Sequence, residues 1–195
     1  SVPPQWRWAL SVLSIASNHQ RASSLTPSFL EAKWSKPDPQ FIKLNVDAAF
    51  FADEGSGATG AVVRDCTGAF IAGCYYYKQH AMDAPSMEAL ALLDGLRLAD
   101  NLGISTIAVE SDSLEIVQAI LDPSDYRASA AVVTDDCRKL LTAFGRATVV
   151  HCAREGNAAA HGLARASYRG NFSREWRDKP PDFLLPFLVT DMIIV

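Results

Sequence analysis

Cysteine and long apolar runs are scarce in this sequence. It has four cysteines in 195 residues, none of them in a C-x-x-C pair or another metal-ligand spacing. So few cysteines exclude a disulfide scaffold and favour a reducing compartment, which predicts an intracellular location in the nucleus or the cytoplasm. No apolar run approaches the roughly 20 residues that span a bilayer, so no membrane partner is expected. The sequence leaves open a targeting segment upstream of Ser1.

The chain also lacks an excess of positive charge. It has 18 Lys and Arg against 22 Asp and Glu, a formal net charge of −4. Bulk attraction to nucleic acid or anionic lipid needs many clustered cations, so net charge alone predicts neither partner. The distribution is uneven, because residues 138–179 carry nine Lys or Arg and three acids. This basic stretch could face phosphate groups, although a solvated polar face accounts for any single Arg.

Internal repeats and low-complexity segments are absent, and the composition indicates one domain. With 49% apolar and 21% charged residues, the chain can bury a sizeable core. Residues 1–40, rich in Ser and Pro, are predicted to form a linker or arm, and residues 41–170 the folded domain. Residues 171–195 form an apolar tail that must pack on the domain or on a partner chain. The tail could therefore mediate a protein contact, and the oligomeric state stays open.

Apolar spacing predicts an α/β domain. Strands are expected at residues 41–47, 61–64, 70–77, 107–110 and 147–152, and helices at about 86–102, 113–121, 128–144 and 157–169. The first three strands are expected to form an antiparallel meander, with turns around Gly55 to Gly60 and at residues 65–68. Strands that first form hairpins and then alternate with helices predict one mixed sheet with helices packed on its faces.

Three acids occupy special places in this layout. Asp47 lies in the first strand, Glu88 in the first turn of the first helix, and Asp112 just after the fourth strand. Two have a structural explanation. The positive end of the helix dipole would stabilise Glu88, and Asp112 could be an N-cap. Asp47 stands where the pattern should remain inside the sheet, and a lone buried acid is costly.

The three acids are expected to converge, because the first and fourth strands are neighbours in the simplest mixed sheet and the first helix packs across them. Clustered carboxylates repel one another unless a cation neutralises them, and oxygen ligands suit Mg²⁺ or Mn²⁺. Two such ions about 4 Å apart can hold a phosphodiester, one activating water and the other stabilising the leaving oxygen. The acids are therefore candidates for metal-dependent phosphodiester chemistry.

Five segments resemble the RNase H domain, in the order in which that family has them. They are residues 41–49 (FIKLNVDAA), 59–65 (TGAVVRD), 86–91 (SMEALA), 109–113 (VESDS) and 154–161 (REGNAAAH). Each lies at a predicted strand end or helix start. The resemblance covers residues 41–168, and its nearest likeness is to plant RNase H-like domains related to non-LTR retroelement reverse transcriptases. Trp34 and residues 180–183 are also similar to those plant members.

This resemblance implies a fold, an activity and a site. The fold is a five-stranded mixed sheet, three antiparallel strands plus two parallel ones, with helices on both faces. The activity is endonucleolytic hydrolysis of the RNA strand of RNA/DNA hybrids with two Mg²⁺ or Mn²⁺ ions, so a hybrid or a structured RNA is the implied partner. By motif, Asp47, Glu88 and Asp112 match the family's first three acidic ligands, and His161 stands at the fourth position. These four are the implied catalytic and metal-ligating residues.

His161 is the main departure from the family pattern, because the best-known members have Asp at that position. Imidazole is a neutral ligand that Mg²⁺ accepts less readily than Mn²⁺ does. One metal site is therefore expected to be weakened or shifted in preference, with reduced activity. A histidine in a helix is otherwise an ordinary surface or packing residue.

Nucleic-acid contacts are implied at Ser113, Arg154, Asn157 and Arg165. Asn157 is also expected to be the N-cap of the last helix of the domain. Arg165 follows His161 by four residues and so shares its flank of that helix.

Departures at other contact positions keep alternative functions open. Residues 84–85 are Ala-Pro where well-studied members have an Asn pair, and Leu114 stands where a Gln is common. The alternative is a catalytically weak or inactive RNase H-like module that binds nucleic acid or protein. A 3′–5′ exonuclease on the same fold agrees less well, because that family's first strand carries Asp-x-Glu and Asp47 is followed by two alanines.

Overall fold

A computed structural model describes residues 33–122 and 129–193 of the chain. Residues 1–32 of the predicted arm, and residues 123–128 and 194–195, lie outside the described residues. Within the described part, a six-stranded sheet has the strand order β5-β4-β1-β2-β3-β6. The strands are β1 (Ile42–Phe51), β2 (Ser56–Arg64), β3 (Phe70–Lys78), β4 (Thr106–Ser111), β5 (Arg146–His151) and β6 (Arg174–Arg177). The helices are α1 (Ala84–Asn101), α2 (Leu114–Leu121), α3 (Ala131–Leu141), α4 (Ala158–Gly170) and α5 (Leu185–Ile193).

Strands β1, β2 and β3 form the expected antiparallel meander. Gly55 closes the first connection with a left-handed φ of 58°, which glycine adopts at little cost. Asp65 organises the second connection, because its Oδ1 accepts a hydrogen bond from the backbone N–H of Thr67 at 2.8 Å. These two turns set a register in which Asp47 lies opposite Gly60.

Strands β4 and β5 extend the sheet in parallel with β1. Helices α1, α2 and α3 cover one face, where Leu44 and Val46 of β1 are fully buried against Leu92 and Leu96 of α1. Helix α4 covers the other face and packs on β1 and β2. The domain is therefore an α/β fold with helices on both faces of a mixed sheet, as the sequence predicts.

The sheet has six strands rather than the five expected, because the C-terminal tail supplies one. Residues 174–177 form β6, which pairs antiparallel with β3. The apolar pattern of the tail does not predict this strand, because Arg174, Glu175 and Arg177 are charged and exposed. The ring of Trp176 instead stands edge-on to Tyr75, with 5.0 Å between centroids.

The rest of the described tail lies against the domain. Leu184 and Leu188 are buried in an apolar cluster with Val62 of β2 and Leu163 of α4. These two side chains thus extend the core on the α4 side of the sheet. Among residues 33–122 and 129–193, no helix combines the length and apolar character needed to cross a bilayer.

Gly60 lies within β2, so the expectation of a turn reaching Gly60 is wrong. A Cβ atom at this position would lie 2.4 Å from the carbonyl oxygen of Ala160 and 2.6 Å from the backbone nitrogen of Ala164. The absent side chain therefore allows the backbone of α4 to approach the sheet closely. This approach brings the start of α4 beside β1.

Candidate active site

Asp47 lies on the α4 side of β1. Strand alternation places it on the opposite face from Leu44 and Val46, and it is 3% exposed. Its Oδ2 lies 2.6 Å from Nδ1 of His161 in α4. The acid that looked costly in the sequence therefore has a direct side-chain partner.

Asp112 follows β4 and lies at the same edge of the sheet. The parallel register pairs Val46 with Ser111, so Asp112 continues β4 alongside Asp47. Its Oδ1 accepts a hydrogen bond from Nδ2 of Asn157 at 2.9 Å. The expectation that Asp112 is an N-cap is wrong, because the residue that precedes α2 is Ser113, whose side chain makes no capping bond.

Glu88 reaches the cluster from α1. Asp83 caps this helix by accepting a hydrogen bond from the backbone N–H of Ser86 at 2.8 Å, which fixes the first turn beneath the sheet edge. The Oε2 atom of Glu88 is buried and has no hydrogen-bond partner among the described residues. A buried carboxylate oxygen without a partner is costly, so this atom is suited to a bound cation.

The electrostatics of the cluster follow from burial and like charge. Burial, followed by the charges of Asp47 and Asp112, raises the pKa of Glu88 to about 9, and Arg154 opposes this rise. Burial and the charge of Asp112 raise the pKa of Asp47 to about 6, with His161 opposing. Without a cation, Asp47 and Glu88 therefore keep their protons to a higher pH than ordinary carboxylic acids do.

The donor set fits a hard divalent cation, although the side chains do not form a ready-made cage. Among residues 33–122 and 129–193, no group of three or more His, Cys, Asp or Glu side chains is arranged to hold a metal ion. One oxygen of Asp47 faces His161 instead. Carboxylate oxygens with one unpartnered atom are nevertheless the donors that Mg²⁺ and Mn²⁺ prefer.

Two of the predicted nucleic-acid contacts lie together beside the cluster. Arg154 and Arg165 are exposed and, with His161 and residues 48–51, line an open depression of about 360 Å³. Ser113 is partly buried at the start of α2, where its backbone N–H donates to Oγ of Ser111.

Asn157 lies elsewhere, at 1% exposure. It precedes α4, and both ends of its side-chain amide bond to residues outside that helix. Its Nδ2 donates to the carbonyl oxygen of Val46 at 2.8 Å and to Asp112. The structure therefore places Asn157 behind Asp112 and away from the surface of Arg154 and Arg165.

Sequence reasoning missed several polar residues around Asn157. Lys43 and Asn45 alternate with apolar residues, a pattern typical of a strand with one solvated face, yet both are buried. The available signal was the position of Asp47, because a buried residue on that face implies that its neighbours at i−2 and i−4 are covered too.

Comparisons with known proteins agree with this geometry. The model of the family described as reverse transcriptase-like matches residues 45–167. A protein of Arabidopsis thaliana named "Putative ribonuclease H protein" is 27% identical over 160 residues, which are 82% of this chain. The chain spans about a quarter, 26%, of the length of that relative.

Solved structures share the fold at low identity. RNase H1 of the archaeon Halobacterium salinarum superimposes with a TM-score of 0.62 at 22% identity, covering 66% of this chain and 98% of that one. The N-terminal RNase H domain of a Mycobacterium tuberculosis protein gives 0.61 at 21%, with 66% and 94% covered. An RNase H1 isolated from compost, in complex with an RNA/DNA hybrid, gives 0.57 at 20%, with 67% and 98% covered. The chain therefore belongs to the reverse transcriptase-like family and has the RNase H fold.

Proposed function

We propose that the chain is a ribonuclease H-type endonuclease that hydrolyses the RNA strand of RNA/DNA hybrids with divalent metal ions. The observation that carries the proposal is the convergence of Asp47, Glu88 and Asp112 from three separate elements, with one buried oxygen of Glu88 that has no partner among the described residues. An acidic cluster of this kind is stable as charge only when cations neutralise it. The fold and the relative named as a ribonuclease H protein support the same activity.

Asp47, Glu88, Asp112 and His161 would hold two Mg²⁺ or Mn²⁺ ions. Such ions supply a nucleophile at neutral pH and stabilise the charge that develops on the leaving oxygen. Residues of the chain would orient the substrate, and Arg154 and Arg165, which line the same depression as His161, would contact its phosphate groups. Ser113 lies next to Asp112, and Asn157 supports Asp112 from behind.

Cleavage of a labelled RNA/DNA hybrid tests this proposal. We expect cleavage of the RNA strand with Mn²⁺ or Mg²⁺, and a loss of at least about 100-fold in Asp47→Asn, because removal of charge from a ligand removes the electrostatic stabilisation. Asp100→Asn, at an exposed position of α1, is the matched control and should cleave normally. Absence of metal-dependent cleavage by the unmodified chain would contradict the proposal.

Two observations favour the second candidate, a weakly active or inactive module that binds nucleic acid or protein. His161 contacts Asp47 directly, and no three of the described His, Cys, Asp or Glu side chains form a ready-made metal cage. For such a module, the hybrid or structured RNA should bind equally well to the unmodified chain and to Asp47→Asn, and neither should cleave it. Retained binding in the absence of cleavage therefore separates the two functions.

A further inference from the structure

A buried polar cluster lies behind the candidate active site, on the α4 side of the sheet. Its members come from β1, β2, β4 and α5 and from the segments that precede β1 and α4. They are Trp34, Lys43, Asn45, Arg64, Glu110, Asn157 and Asp191. The cluster contains two buried cations, and each is paired with a carboxylate. Nζ of Lys43 lies 2.5 Å from Oε1 of Glu110, and a guanidinium nitrogen of Arg64 lies 2.6 Å from Oδ2 of Asp191. The cluster is therefore neutral in sum, as burial requires.

Asn45 is the centre of this cluster, and its amide can point in only one direction. Its Oδ1 accepts from the indole Nε1 of Trp34 at 2.9 Å and from Arg64 at 3.2 Å, and both groups can only donate. Its Nδ2 donates to Oε2 of Glu110 at 3.0 Å, which as a carboxylate can only accept. In the reversed orientation, the NH₂ group of Asn45 would face the donors of Trp34 and Arg64, and its oxygen would face the Glu110 carboxylate.

The orientation of Asn45 is passed on to Asn157. Nδ2 of Asn45 lies 3.3 Å from Oδ1 of Asn157, so that oxygen must face Asn45. The Nδ2 of Asn157 is thereby directed at two acceptors, the carbonyl oxygen of Val46 and Oδ1 of Asp112. Oδ1 of Asp112 is therefore held by Nδ2 of Asn157, and the direction of that amide is fixed by Asn45.

Two anchors of the cluster lie outside the region that matches the family model, residues 45–167. Trp34 precedes β1, is 5% exposed, and has the guanidinium of Arg64 3.6 Å from its ring centroid. Asp191 lies in α5, and its Oδ2 accepts a hydrogen bond from Nη1 of Arg64. The chain on both sides of the matched region therefore meets at Arg64.

We propose that Asn157 and Asn45 are positioning residues for Asp112, and that Trp34 and Asp191 set this position through Asn45. The role rests on the proposed function in one respect, since Asp112 must be a metal ligand for its position to affect chemistry. Partners that orient a metal ligand typically change metal affinity or activity by about 10- to 100-fold when they are removed.

The first test is the affinity of the full chain for Mn²⁺ alone, measured by electron paramagnetic resonance of the free ion. We expect Asn157→Ala to weaken binding by about tenfold or more, and to lower kcat for the hybrid while KM stays the same. Thr134→Val is the matched control, because it removes a buried hydroxyl in α3, remote from the cluster. Binding within twofold of that control would overturn the proposal.

The second test addresses the anchors. Trp34→Phe keeps a ring for Arg64 and deletes the indole donor, and Asp191→Asn keeps the shape and removes the charge. Both should weaken Mn²⁺ binding, whereas Trp176→Phe and Asp182→Asn, in the same tail but outside the cluster, should not. Equal effects of anchors and controls would limit the role to stability and overturn the assignment of the anchors.

The outcomes for this proposal and for the proposed function are separate. Mn²⁺ binding that falls in Asn157→Ala without hybrid cleavage by any variant supports the positioning role and contradicts the nuclease. An unmodified chain that binds no Mn²⁺ at millimolar concentration overturns both. Cleavage that is normal in Asn157→Ala overturns the positioning role alone.

Discussion

At the residue scale, His161 gives the candidate site one nitrogen ligand atom beside the oxygens of three carboxylates. Its Nδ1 faces Asp47 at 2.6 Å, and the imidazole remains partly exposed toward the depression lined by Arg154 and Arg165. Nitrogen donors suit Mn²⁺ better than Mg²⁺. The metal preference of the chain is therefore expected to depend on this single position.

His161→Asp should raise Mg²⁺-dependent cleavage relative to Mn²⁺-dependent cleavage. A fourth carboxylate supplies the hard oxygen donor that Mg²⁺ prefers, and we expect the ratio of kcat/KM values in the two metals to rise about tenfold, or ~1.4 kcal/mol. His80→Asp, at an exposed position, is the control for added charge. An unchanged ratio in His161→Asp would show that His161 does not contact the metal.

Glu88 makes stability of the metal-free chain depend on pH. Its folded pKa of about 9 lies above the usual value of 4.5, so the folded state keeps a proton that the unfolded chain releases between these values. Stability should therefore fall as pH rises from about 5 to 9. Glu88→Gln should remove much of this fall and stabilise the chain at pH 8 by at least ~1.4 kcal/mol, the value of one pKa unit.

Urea denaturation at pH 5 and pH 8 with a chelator present measures this effect. Glu115→Gln, at an exposed position of α2, controls for the loss of one negative charge. A pH dependence that survives unchanged in Glu88→Gln would contradict the assignment.

The site residues were predictable from the sequence to different degrees. Asp47, Glu88 and Asp112 were predictable as a converging set, because strand ends and helix starts have clear local signals and the motifs fix their order. The supporting residues were not, because Lys43 and Asn45 have the same alternation whether their face is solvated or covered. Only the packing of α4 and α5 on that face decides the question.

At the element scale, the position of α4 depends on how closely it approaches β2. Glycine at position 60 leaves space for the backbone of Ala160 and Ala164. The sequence suggested a turn at Gly60 because glycines are common in turns. A glycine that allows a helix to pack closely on a strand has no distinguishing local signal. The predicted helix at 128–144 is likewise shorter in the structure, Ala131–Leu141, because the apolar period alone does not fix helix ends.

Gly60→Ala should displace α4 from the sheet. The new methyl group would lie 2.4 Å from a backbone oxygen, and backbone cannot move aside as a flexible side chain does. We expect a loss of about 1–3 kcal/mol in the free energy of unfolding and a fall in cleavage, because His161 would move from Asp47. Gly145→Ala should cost much less, because a Cβ atom there would lie 3.4 Å from its nearest neighbour, the carbonyl oxygen of Ser105. Chemical denaturation of both variants decides the matter, and equal stability would contradict the packing argument.

At the scale of the whole molecule, the tail belongs to the folded domain. Leu184 is fully buried with Val62 and Leu163, and Asp191 pairs with Arg64. The sequence predicted that the tail must be covered, and it left open whether the domain or a partner would cover it. Apolar composition alone cannot distinguish the two, because both remove the same surface from water.

Leu184→Ala should destabilise the whole domain, with a loss of about 2–5 kcal/mol in the free energy of unfolding. Leu185→Ala is the matched control, because the neighbouring side chain is 42% exposed. Unfolding should remain a single transition in both variants, since the tail shares the core of the sheet. A separate early transition for the tail in the unmodified chain would contradict this view.

Strand β6 also decides how the sheet ends. Without it, the nine residues of β3, with three adjacent tyrosines, would form the open edge of the sheet. The four-residue strand β6 pairs with residues 72–75 of this edge and has charged side chains at Arg174, Glu175 and Arg177. Short, charged edges offer a poor template for strand addition by another chain. We therefore expect the tail to lower the tendency of the sheet to aggregate edge to edge.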